Sequence, residues 1–153
     1  MTQEQKELLL KDICTRVNYK VMCSIYRIDD CDVGWRDEIL TGYFNNGIFY
    51  EFYLGKTPIS IDDISKIKPY LRPMSSMTEE EGKELERLFS EIDTPCWVDT
   101  TYGCVTFAGD NDFIDTEIAE IYTDWLNAHH FDYRGLIEKG LALEAKEGMY
   151  NIK

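Results

Sequence analysis

His129, His130, Asp132, Tyr133 and Arg134 stand within six consecutive residues, the one place in this chain where acid–base and charge-binding side chains cluster. An imidazole titrates near neutrality, a carboxylate can orient it, and a guanidinium can hold an anion. The segment is therefore the candidate site of a small enzyme. Adjacent side chains diverge on a helix or a strand, so at most one of the two histidines faces any single site. The chain holds no Gly-x-Ser-x-Gly elbow, phosphate loop, His-Glu-x-x-His helix or paired-carboxylate motif. The competing reading is a helix end, with histidine against terminal carbonyls and Phe131 and Tyr133 packed beneath.

Carboxylates offer a second chemistry. The stretch DNDFIDTE, residues 110–117, invites a hard cation. An EF-hand loop starting at Asp110 needs an oxygen ligand at its fifth position, glycine at its sixth and glutamate at its twelfth. Ile114, Asp115 and Ile121 stand there, so the loop fails at all three. A polar loop running into an Asp-capped helix accounts for the stretch, and no metal or other cofactor is expected.

The wider charge pattern is more telling. Residues 1–73 carry 10 basic and 11 acidic side chains, whereas residues 74–153 carry 6 and 18. Between Arg87 and Arg134 there is no lysine or arginine, and ten acids fall in that interval. Asp110, Asp112, Glu117, Glu120 and Asp124 are its candidate binding residues. Phosphate-binding sites are lined with lysine and arginine, so a gathered acidic surface can occupy one as a decoy. A solvated face that keeps the protein soluble is the alternative. The expected partner is a basic protein. Direct nucleic-acid binding is not expected, because the aromatics Tyr43, Phe44, Phe49, Tyr50, Phe52 and Tyr53 come with no basic groove and read as core, with Tyr50 and Phe52 a docking patch if their face is open.

With 44% apolar residues the chain has ample material for a core, and no apolar run approaches the ~18–20 residues of a membrane span. The first residues, MTQEQKELLLKDI, resemble neither a secretory signal nor a transit peptide, so a cytoplasmic protein is expected. The five cysteines are odd in number and have no CxxC spacing, which predicts reduced, mostly buried thiols.

The elements that position these groups follow from periodicity. Thr2 with Gln5 forms a capping box opening a helix near residues 3–17, its stripe being Leu9, Leu10, Ile13, Cys14 and Val17. Residues 20–28 alternate as a strand. A polar turn at Asp29, Asp30, Asp32 and Gly34 leads to strands at 36–44 and 48–54 around Asn45-Asn46-Gly47. Ile59 and Ile61 mark a short strand, and Pro69 and Pro73 bracket an extended stretch. Thr78 with Glu81 caps a second helix bearing Leu85, Leu88, Phe89 and Ile92. A hairpin over 96–108 precedes a third helix, capped by Asp115, that bears Ile118, Ile121, Tyr122, Trp125 and Leu126, and a short element falls at 141–143. The fold class is α+β: an N-terminal helix with a small curled antiparallel sheet, a partly open barrel, followed by a helix–hairpin–helix unit. Residues 1–153 read as one compact domain, with subdomains 1–73 and 74–153 as the alternative.

Two segments, KPYLRPMSSMTEEE (residues 68–81) and DWLNAHHFDYRGLIEKGLALEAKEGMY (residues 124–150), resemble an uncharacterised family of small acidic proteins associated with phage and mobile elements of gut bacteria. The resemblance implies an accessory protein of a mobile element and carries no activity, cofactor or catalytic residue. The expected function is a non-catalytic protein-binding accessory factor; a small enzyme using residues 129–134 is the alternative.

Overall fold

The computed structural model describes residues 1–29, 32–45, 50–108 and 116–150, with backbone alone at 29, 32, 45, 50 and 61. The chain is mixed α+β, with an N-terminal helix and a mostly open sheet. Its backbone divides into two units, Met1–Leu71 with Arg134–Lys153, and Arg72–Tyr133. No helix among the described residues is long and apolar enough to cross a membrane.

The first unit opens with α1 (Gln3–Arg16). The Thr2 hydroxyl accepts the Gln5 N–H while the Gln5 side chain accepts the Thr2 N–H, so the expected capping box is formed on both sides. Six strands follow: β1 (Met22–Asp29), β2 (Asp32–Asn45), β3 (Tyr50–Leu54), β4 (Thr57–Ser60), β5 (Ile67–Leu71) and, far along the chain, β8 (Leu143–Glu144). They lie in the order β4-β3-β2-β1-β5-β8, antiparallel except for the β5–β8 pair. Leu9 and Ile13 of α1 join Cys23, Ile25, Leu40, Phe52, Leu54, Ile67 and Leu71 in one core. Strand β2 begins at Asp32, earlier than the polar turn at 29–34 predicts. Cross-strand partners Ile28 with Val33 and Tyr26 with Trp35 extend the ladder into the turn region. The Asn46-Gly47 turn lies outside the described residues.

Two features of this unit follow from backbone polarity. The Leu40 N–H donates to Val21 O, so odd-numbered β1 residues aim their backbone groups at β2. Pro69 sits opposite Cys23, where β5 is not asked for the N–H that proline lacks. One step further along, the Tyr150 hydroxyl enters the ladder. It accepts the Met22 N–H at 2.9 Å and donates to Tyr70 O at 2.8 Å. Burial holds the phenol proton well above its ordinary range, so Tyr150 remains a donor.

Charge is also buried here. Asp12 is fully enclosed and accepts from Arg16 Nε at 2.7 Å and from an Arg134 guanidinium nitrogen at 2.9 Å. The carboxylate belongs to α1 and the second arginine to the C-terminal segment, so the pairing spans 122 residues of chain. A desolvated carboxylate of this kind is tolerable only with such partners.

The second unit holds α2 (Glu79–Glu91), a two-stranded sheet of β6 (Cys96–Asp99) and β7 (Cys104–Phe107), and α3 (Thr116–Ala128). Leu85, Phe89, Cys96, Trp125, Leu126 and Phe131 form its core. Ile92, expected on the buried stripe of α2, is exposed because the helix has ended and the chain reverses through Asp93 in the left-handed region (φ 58°). Gly103 is required at the β6–β7 turn. Its φ is 64°, and a Cβ there would run into the Met74 carbonyl. Of the described cysteines, Cys23 and Cys96 are buried, Cys14 and Cys104 are exposed, and all four are free thiols.

The ladder role of Tyr150 gives the first prediction. Tyr150→Phe keeps the ring but strands the Met22 N–H and the Tyr70 carbonyl, at an expected cost of about 1–3 kcal/mol. Amide exchange at Met22 should accelerate and the urea midpoint should fall. Unchanged exchange at Met22 would refute the role assigned to the phenol.

Candidate functional site

Helix α3 is amphipathic at helical period, and its two faces are anchored very differently. Inward, Trp125 and Leu126 are buried and Ile118, Ile121 and Tyr122 pack against the same core. Phe89, Phe107 and Tyr122 meet edge to face, with centroids 4.9, 5.8 and 6.3 Å apart. Burial pushes the Tyr122 hydroxyl up to about 12, so it stays protonated at neutral pH. Outward, Glu117, Glu120 and Asp124 are all exposed. Their spacing of three and four residues aligns them along one stripe. A shallow depression of about 330 Å³, lined by Thr116, Ala119, Glu120, Thr123 and Asp124, runs beside them. Asp110 and Asp112, expected to continue the stripe, lie outside the described residues, as does Asp115.

The C-terminal end of α3 is fixed by the histidine pair. His130 adopts φ 60°, its N–H donates to Asn127 O at 3.1 Å, and the Phe131 N–H donates to Leu126 O at 2.9 Å. This is a Schellman closure with histidine in the position glycine usually takes. His129 stacks on Trp125 with centroids 4.0 Å apart, and its Nδ1 lies 2.9 Å from Trp125 O. Glu84 of α2 reaches both groups: it accepts the Trp125 indole N–H at 3.2 Å and lies 3.9 Å from His129 Nε2. Phe131 is fully buried and Asp132 is buried. The Tyr133 hydroxyl donates to Asn127 Oδ1 at 3.2 Å. Arg134 belongs to the first unit, where it meets Asp12 and the Thr15 hydroxyl.

Beneath both helices lies a pairing between residues nine positions apart in the chain. Arg72 grips Glu81 with both terminal nitrogens, at 2.6 and 2.9 Å. The same guanidinium donates to Ser76 O at 3.1 Å and His129 O at 3.4 Å, and lies 4.3 Å from the centre of the Phe131 ring. Its backbone completes the arrangement: the Arg72 N–H donates to His130 O and Arg72 O accepts the Asp132 N–H. Glu81 meanwhile closes the Thr78 capping box of α2. Burial raises the Glu81 carboxyl, but the Arg72 and Thr78 hydrogen bonds and the Arg72 charge outweigh it and hold the group below its ordinary value. Only the capping half of this is visible as local spacing.

Among the described residues there is no group of three or more His, Cys, Asp or Glu side chains placed to hold a metal ion. The chemistry that the outer face of α3 offers is electrostatic: hydrogen-bond acceptors and negative charge on a rigid helix. Comparison with protein-family models, curated proteins and solved structures finds no match to this chain.

Glu81 generates a prediction with a defined sign. Its carboxyl is depressed in the folded state, so its stabilisation is complete above the unfolded value of about 4.5 and is lost as pH falls through the lower folded value. Glu81→Gln should cost about 2 kcal/mol near neutral pH. The gap between the variant and the parent should close as pH drops below about 4.5. Thermal melts from pH 3 to 7 read this directly, and a gap constant over that range contradicts the ion-pair account.

Proposed function

We propose that this chain is a non-catalytic protein-binding accessory factor of a phage or mobile element, acting in the cytoplasm as an acidic decoy of a nucleic-acid-binding protein. The observation that carries the reading is the outer face of α3. Glu117, Glu120 and Asp124 stand exposed and in line on a helix whose opposite face is locked by Trp125, Leu126 and the aromatic cluster. A rigid row of carboxylates meets a phosphate-binding surface with little loss of conformational freedom, and the basic side chains of that surface supply most of its affinity for nucleic acid. The fold proposed with this function is a partly open barrel carrying a helix–hairpin–helix unit, the second of whose helices presents the decoy.

The uneven charge of the chain supports the same reading. Residues 74–153 have a formal charge of −12 against −1 for residues 1–73. A field of that asymmetry steers a basic partner toward one half of the chain.

Charge reversal separates a decoy from a solvated face. Glu117→Lys, Glu120→Lys and Asp124→Lys together should weaken capture of the basic partner by at least about tenfold, some 1.4 kcal/mol or more. The circular dichroism spectrum should be unchanged. Reversing the exposed Glu7, Glu138 and Glu147 alters net charge equally and should cost far less. Equal losses in the two triple variants would assign the effect to net charge and remove α3 as the decoy surface.

A further inference from the structure

The β1–β2 ribbon carries a second surface, independent of the acidic helix. Strand β5 covers β1 only at Cys23, Ser24 and Ile25, and β3 pairs with β2 only from Leu40 onward. Residues 26–29 and 32–38 therefore form a two-stranded arm, and no third strand lies along it among the described residues. The direction of its free backbone groups follows from two hydrogen bonds. The Leu40 N–H points to Val21 O across β1, whereas Ile39 O accepts the Gly55 N–H on the opposite side. By alternation, Val33, Trp35 and Asp37 turn their N–H and C=O groups away from β1, into the open edge.

The side chains flanking that edge are mostly apolar on one face, which also carries Asp37 and has the Lys68 ammonium 5.9 Å from the centre of the Trp35 ring. Ile28 is 70% exposed, Val33 58% and Trp35 51%. Tyr26 meets Trp35 edge-on at 5.5 Å, which holds the indole upright on the ribbon. The other face carries Arg27 and Glu38, paired at 2.8 Å, together with Arg36. An unpaired edge beside a solvent-facing apolar surface is the geometry used in strand-to-strand association.

We propose that this edge pairs with the same edge of a second copy, antiparallel, about a twofold axis through Gly34. The backbone directions allow an axis at residue 34, 35 or 36. An axis at Arg36 sets guanidinium against guanidinium, and one at Trp35 sets Val33 against Asp37. An axis at Gly34 sets Val33 opposite Trp35 twice, as hydrogen-bonded pairs, and brings positions 32 and 36, of opposite charge, across from each other. Self-complementarity in both apolar contact and charge selects a second copy over a foreign strand. Gly34 itself has nothing within 4 Å of where a Cβ would stand, so its own chain does not require glycine there. A backbone crossing at the axis makes use of the space.

Sedimentation velocity on the full chain from about 1 to 100 μM tests this. A concentration-dependent dimer is expected, strengthened by salt because each copy has a formal charge of −13. Trp35→Lys should weaken dimerisation at least about tenfold. Gly34→Cys should form a disulfide-linked dimer under mild oxidation, since opposed residues of a non-hydrogen-bonded antiparallel pair lie ~4.5 Å apart at Cα, within disulfide reach. Arg36→Cys, off the axis, should cross-link no faster than the parent chain. A monomer across the whole range overturns the proposal, as does a dimer indifferent to Trp35→Lys or equal cross-linking by the two cysteine variants. A chain that stays monomeric but takes up an extended foreign strand at this edge overturns it as well.

Discussion

The second unit is organised by one guanidinium. Arg72 is its first residue, and from that position it holds the N-terminal end of α2 through Glu81 and the C-terminal end of α3 through His129 O and the Phe131 ring. Removing either charge would leave the other desolvated, so the pair constrains both helices at once. The orientation of α3, and therefore the direction in which Glu117, Glu120 and Asp124 face, depends on this clamp. The same clamp fixes the segment that follows α3. The histidines close a helix, the tyrosine caps an asparagine, and the backbone of Arg72 bonds on either side of Phe131.

Charge is used in two opposite ways in this chain. Arg16, Arg134 and Arg72 are drawn inward to buried carboxylates, Asp12 in one unit and Glu81 in the other. The acids of α3 are turned outward, in a part of the sequence that holds no lysine or arginine from residue 88 to 133. Buried pairs of this kind add little net stability over an apolar core, but they fix the register of the elements they join. Exposed acids add little to stability in either direction and are available for binding. Within the second unit this separates Arg72 and Glu81, which position α3, from the acids that α3 presents.

Much of the local architecture was legible in the sequence, and the long-range part was not. The Thr2–Gln5 and Thr78–Glu81 boxes mark the starts of α1 and α2 because both halves of each box lie within one helical turn. The inward face of α3 follows from the spacing of Ile118, Ile121, Tyr122, Trp125 and Leu126. The burial of Asp12 and Arg16 is different. Their spacing of four residues signals an ion pair, but Arg134, which joins the pair in the core, lies more than a hundred residues away. The early start of β2 was hidden for a similar reason. Asp29, Asp30, Asp32 and Gly34 look like a turn, and the pairing of Ile28 with Val33 overrides that local preference. The left-handed His130 had no signal at all, since glycine is the residue that ordinarily marks such a closure.

The proposed decoy requires the outer face of α3 to stand in for nucleic-acid phosphates. The measurement that bears on it most directly is competition: immobilised chain carrying its basic partner is titrated with duplex DNA at fixed salt, and the partner released is quantified. Mutually exclusive binding is expected, with DNA displacing the partner completely and each added increment of salt weakening both complexes. A stable ternary complex, in which the partner holds DNA and the chain together, would show that the acidic face does not occupy the phosphate site and would contradict the account.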